Sequence, residues 1–175
     1  GLRNSITLRS SHGAEQTILR KSSAAVGKAM EQFILIDQGE DDTTILDGFT
    51  LESSYGDELV NGIVIRGSSP TVRNCVVVGY GVTKDGVLIE ESKTPTLQHC
   101  TFLGSGFRGI RANRSEAVLE SCRLVLNEAG GLGAFESQIV MRDCTVAFNE
   151  LEIHGDSFSA IRLERCTIAH NRTTA

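Results

Sequence analysis

Five cysteines recur along the chain in one local setting: Cys75 in TVRNCVVVG, Cys100 in TLQHCTFLG, Cys122 in VLESCRLVL, Cys144 in VMRDCTVAF and Cys166 in RLERCTIAH. Their spacings are 25, 22, 22 and 22 residues. A period of this size marks a repeat architecture, in which one unit cannot bury its apolar face alone and must stack on its neighbours. The apolar residue three places before each cysteine (Val72, Leu97, Leu119, Met141, Leu163) keeps the same rhythm. Ile45 in DTTILDGFTL and Ile18 in EQTILR extend it upstream in steps of 27, which predicts seven turns.

Within each period, apolar and polar residues alternate in short runs, the signature of strands with one buried face. In the turn that ends at Phe148, Leu132 and Ala134 mark a first strand, Ile139 and Met141 a second, and Cys144, Val146 and Phe148 a third. One turn earlier the same columns hold Ile110 and Ala112, Ala117 and Leu119, then Cys122, Leu124 and Leu126. Turn-forming residues fall between the strands, in GSSPT, TKDG, KTPT and LGSG. Pro70 and Pro95 both stand at the start of a second strand, where a missing N–H is tolerated. No regular Leu-x-x-Leu-x-Leu motif or helical segment repeats, and Trp is absent. The prediction is one all-β domain over residues 1–175, three short parallel strands per turn, with turns stacked ~4.8 Å apart.

Repeats such as GSSPTVRNCVVVG and TILDGFTL resemble those of the right-handed parallel β-helix superfamily, the pectin-lyase-like fold, over about residues 5–172. The resemblance implies architecture more than activity, because that fold carries lyases, hydrolases, epimerases, adhesins and non-enzymatic scaffolds. The Asn-Thr-Asp, Gly-His-Gly and Arg-Ile-Lys elements of polygalacturonases and the Asp-Pro-His-Glu of alginate epimerases are absent from the sequence.

Equivalent residues in adjacent turns point the same way at about the turn spacing, slightly beyond the ~3.5–4.5 Å between Cβ atoms that a disulfide prefers. Zinc needs ligands converging from several directions, and no two of these cysteines lie within twenty residues of one another. The cysteines are therefore expected to form a buried column of free thiols. Asn127, Asn149 and Asn171, with Ser105 in the equivalent place, recur five residues after their cysteines and predict a second, amide column at a corner.

A formal charge of -5, from 22 acidic and 17 basic residues, gives no basic stripe for a phosphate backbone and argues against nucleic acid as a partner. No apolar run approaches the length of a membrane span.

The outer face of the first strands is the expected binding surface, since the resembling polysaccharide-active proteins use one flat sheet as their groove. One outward column holds Arg66, Glu90, Asn113 and Phe135, and the next holds Val64, Leu88, Arg111 and Gly133. An Arg beside carboxylates suits a uronate or a proton abstraction, with calcium as the accompanying ion in enzymes of that superfamily. Alternating charge along a column is also what stacking alone selects. Asp37, Glu40, Asp41, Asp42 and Asp47 are the calcium candidates, although their spacing matches no calcium loop and equally describes a solvated acidic segment.

Ungapped alignment places His154 and Asp156 in the inward columns of Leu132 and Ala134. A slip of one residue would instead turn Ile153 inward and expose His154, which avoids burying charge. His12, His99 and His170 fall in different turns and columns. The segment from Ser22 to Gln32 interrupts the strand pattern and suits a short helix or a loop folded over a face or an end.

Both ends look bare, which predicts flanking domains of a longer protein or end-to-end self-association. Two functions follow: a non-catalytic scaffold presenting a flat face to a glycan or protein partner, or a lyase, hydrolase or epimerase domain acting on acidic glycans.

Overall fold

The computed structural model describes residues 5–20, 32–52, 61–79 and 84–172. All regular structure in these residues is β-strand, and every pairing between strands is parallel. Three sheets run along a coil. The first sheet holds six strands: Gln32–Ile36, Asn61–Arg66, Val87–Glu90, Arg108–Asn113, Gly130–Phe135 and Ile153–Gly155. The second and third hold seven each, running from Thr7–Arg9 to Ala160–Glu164 and from Ile18–Arg20 to Thr167–Ala169. Six turns therefore carry all three strands among the described residues. A partial turn precedes them, so the count falls slightly below the seven expected. The Ser22–Gln32 segment lies almost wholly outside the described residues.

Two upstream registers differ from expectation. Leu46, not Ile45, stacks on Val72, and Leu8 stacks on Leu46. Ile18 belongs to the third sheet, opposite Thr50. The reason lies in Asp47-Gly48-Phe49: Gly48 takes the corner place of Asn74 and Phe49 the buried place of Cys75, so the inward residue three places earlier is Leu46.

Most corners among the described residues are made by a single residue in the left-handed region followed by one that turns inward. After second strands the left-handed residues are Gly48, Asn74, His99, Ser121, Asp143 and Arg165, all with φ between 51° and 82°. After third strands they are Gly104, Leu126, Phe148 and His170, and after first strands Gly67, Glu91, Arg114 and Glu136. A non-glycine residue there costs about 1–2 kcal/mol. Side-chain ladders from the residues that follow offset this cost. The placement also corrects the third-strand columns: Leu126 and Phe148 were expected inside, but as left-handed corner residues they point outward and are 56% and 57% exposed.

The ladder residues decide how the corners hold. Cys75, Cys100, Cys122 and Cys144 are buried, none of the five cysteines is disulfide-bonded, and their Sγ atoms approach carbonyl oxygens of the turn below, as Cys122 does Leu97 at 3.3 Å. Asn149 accepts from the N–H and side-chain amide of Asn127, both at 2.9 Å, and donates to Leu124 O at 2.9 Å and Asn171 Oδ1 at 3.0 Å. A third ladder was not anticipated. Ser115, Ser137 and Ser159 each accept the backbone N–H of the serine one turn below, at 3.1 Å.

The core is one continuous file of apolar side chains, including Ile65, Ile89, Leu97, Phe102, Leu119 and Met141, all fully buried. Four glycines, Gly62, Gly86, Gly109 and Gly131, stack in one column where first strands begin, each with the next turn's backbone carbonyl pressed against the place a Cβ would take. Outside, the second sheet carries a ladder of opposite charges: Asp47 accepts from Arg9 and Arg73, and Arg142 lies between Glu120 and Glu164.

Candidate functional site

The outer face of the first sheet is the least uniform surface of the coil. Register places Arg66, Glu90, Asn113 and Phe135 in one outward column, and Val64, Leu88, Arg111, Gly133 and His154 in the next. The anticipated residues meet as a chain of contacts. Arg66 donates from Nε and Nη2 to Glu90 Oε2 at 3.0 and 2.9 Å. Asn113 Nδ2 donates to Glu90 Oε1 at 3.5 Å, and Arg111 Nε donates to Asn113 Oδ1 at 3.2 Å. The Arg111 guanidinium carbon then lies 5.4 Å from the centre of the Phe135 ring.

Arg108 and Phe107, which the sequence reading did not place here, complete the cluster together with His154. Arg108 places its guanidinium 4.3 Å from the Phe107 ring centre and 5.2 Å from that of Phe135. It reaches there because Gly133 has no side chain: a Cβ on Gly133 would sit 2.5 Å from Arg108 Cδ and Nε. The His154 ring lies 5.9 Å from Phe135, tilted by 51°. Arg108 sits in GSGFRG, which reads as a corner, and only the pairing of its strand with Gly130–Phe135 brings it over the face. Among the described residues, Arg66 is held by Glu90, whereas Arg108 and Arg111 form no salt bridge.

Behind this face lies Asp85, 3% exposed. Its carboxylate accepts the Arg108 backbone N–H at 3.3 Å, and its own N–H donates to Asn61 Oδ1 at 3.2 Å. Burial lifts its pKa to about 6, against the opposing pull of Arg111, Arg108 and Lys84. The folded chain therefore retains a proton that the unfolded chain has released between about pH 4 and 6. Stability is expected to fall as pH rises through that window, by on the order of 2–3 kcal/mol, and to level off above it. Chemical denaturation from pH 4 to 8 checks this, with Asp85→Asn expected to flatten that part of the profile and to be the more stable protein at pH 7.

The remaining anticipated residues do not converge. The slip of one residue holds: Ile153 stacks on Leu132 and His154 on Gly133, so His154 is exposed. Asp156 caps the following corner, accepting from Ser159 Oγ at 2.6 Å and from the Glu136 and Phe158 N–H groups; the Ser159 hydroxyl leads in holding its carboxyl below the usual range. His12 contacts Ser11 and His170 stacks on Phe148. The acidic candidates are committed separately: Asp37 to Gln38, Glu40 to Ser68 and Gln38, Asp41 to Thr43, Asp47 to Arg9, Arg73 and Asn74. Among the described residues, no three His, Cys, Asp or Glu side chains group as a metal site, and no helix is long and apolar enough to cross a membrane.

The family model described as the right-handed β-helix region matches residues 47–175. The chain belongs to the right-handed β-helix family. No curated protein sequence matches this β-helix chain. Among solved structures, it is similar to the crystal structure of the periplasmic alginate epimerase AlgG, with a TM-score of 0.66 and 17% sequence identity, over 79% of this chain. The match takes in 36% of the epimerase, so the β-helix described here spans about a third of that protein's length. At this identity the likeness concerns the fold.

Proposed function

We propose that this β-helix is a non-catalytic recognition module whose first sheet presents a flat outer face to an anionic glycan. The observation that supports it most is the Arg108–Phe135–Arg111 arrangement. Two guanidinium groups without salt-bridge partners among the described residues flank an aromatic ring over a glycine gap, with Asn113 and Glu90 alongside. Guanidinium forks suit carboxylates, and the face of an aromatic ring suits the C–H face of a sugar ring. Contacts repeating at about the turn spacing suit an extended chain better than a compact ligand.

Gly133→Ala provides a selective test. The new methyl meets side-chain atoms alone, Arg108 Cδ and Nε at 2.5 Å and the edge of the Phe135 ring at 3.2 Å, so the coil should keep its melting temperature while Arg108 is displaced from the face. Loss of one charge-assisted contact, about 1.5–3 kcal/mol, lowers affinity for an oligouronate roughly 10- to 150-fold by calorimetric titration. A neutral oligosaccharide of the same length should bind weakly to both proteins. Equal oligouronate affinity for Gly133→Ala and the parent would overturn the reading.

The likeness to the alginate epimerase favours a second reading, a polysaccharide-active domain using the same face. Turnover of alginate or pectate, with or without calcium, that is lost in Arg111→Ala would establish that reading in place of the first.

A further inference from the structure

The asparagine ladder stops at Ser105, and the place where it stops contains a cavity. In the turns above, each ladder amide donates to a carbonyl of the turn below: Asn127 Nδ2 to Phe102 O at 3.3 Å, Asn149 Nδ2 to Leu124 O at 2.9 Å and Asn171 Nδ2 to Val146 O at 3.0 Å. Strand register makes Val77 the counterpart of Phe102 one turn down, and the residue that should reach it is Ser105. A serine hydroxyl is too short. Ser105 is fully buried, and its Oγ has no hydrogen-bond partner among the described residues. A small space of about 10 Å³ opens beside it, lined by Val77, Gly62, Gly86, Leu51, Phe33 and the buried Asp85.

We infer that this cavity is a binding site for one water molecule, which takes the place of the missing amide and joins Ser105 Oγ to the Asp85 carboxylate. The volume matches about one water, and a buried water needs two or more polar partners, which Ser105 and Asp85 supply. An unpartnered buried hydroxyl is costly, and a water removes that cost. A cation is disfavoured by Lys84, Arg108 and Arg111, which surround Asp85 electrostatically. Glycines at 62 and 86 keep the space open. A Cβ on Gly86 would lie 3.0 Å from Ser105 Oγ.

A high-resolution crystal structure of the chain, together with its Ser105→Asn variant, tests this. The parent should show one fully occupied water within hydrogen-bonding distance of both Ser105 Oγ and Asp85. In Ser105→Asn the water should be gone, with the new amide in its place donating to Val77 O. Magnetic relaxation dispersion in solution should count one fewer long-lived water in the variant than in the parent. An empty cavity in the parent, or an unchanged count of long-lived waters, overturns the inference. Should Ser105→Asn fail to fold, the parent density and the Ser105→Ala water count decide alone, with Ser105→Ala expected to lose the same water.

Discussion

Gly86→Ala is expected to destabilise the coil by about 3 kcal/mol or more, although it adds one methyl group to a strand. That methyl would sit 2.6 Å from Gly109 O, a backbone atom of the next turn that cannot move without breaking the stacking of the first sheet. Relief by rotamer change is unavailable because the obstacle is main chain. Thermal and denaturant unfolding should show the loss. Gly67→Ala, at a corner with nothing within 4 Å of the new methyl, should cost only the strain of its φ of 58°, about 1 kcal/mol. Comparable losses in the two variants would contradict the carbonyl contact as the cause.

The second large effect lies at Asn149. It is 1% exposed and its side chain makes four hydrogen bonds, two accepted from Asn127 and two donated to Leu124 O and Asn171 Oδ1. Asn149→Ala removes all four and leaves buried partners without replacement, at about 1–3 kcal/mol for each orphaned group and less than additively, so a loss of about 3–5 kcal/mol is expected. Asn149→Asp is the sharper control, because it keeps the shape. Its carboxylate still accepts from Asn127, but it sets an oxygen against Leu124 O and Asn171 Oδ1. It should destabilise strongly at neutral pH and partly recover in acid, when the protonated oxygen can donate. A pH-independent loss would argue against the amide's orientation.

Much of the architecture is legible in the chain because a stacked coil converts a fixed spacing in sequence into a column in space. The cysteine and asparagine ladders follow directly from spacings of 22, and the outward columns of Arg66, Glu90, Asn113 and Phe135 follow from alternation. The serine ladder carries the same signal at Ser92, Ser115, Ser137 and Ser159. It escapes notice because serine is common at turns of every kind.

The misplacements share one cause. Alternation alone puts Leu126 and Phe148 inside, but a left-handed residue at each corner breaks the period of two and turns these side chains out. The same break places Leu46 and not Ile45 on Val72.

What the sequence by itself determined is therefore the repeat, the three strands per turn and the residues that share a column, since each depends on spacing along one chain. Only the tertiary structure decided which unlike residues meet. Arg108 reaches Phe135 because Gly133 leaves room one turn away, Asp85 lies behind two arginines of a later strand, and Ser105 faces a cavity that Gly62 and Gly86 leave between larger side chains. Such contacts join positions in different columns and turns, and they depend on side-chain volume and reach, which no periodicity encodes.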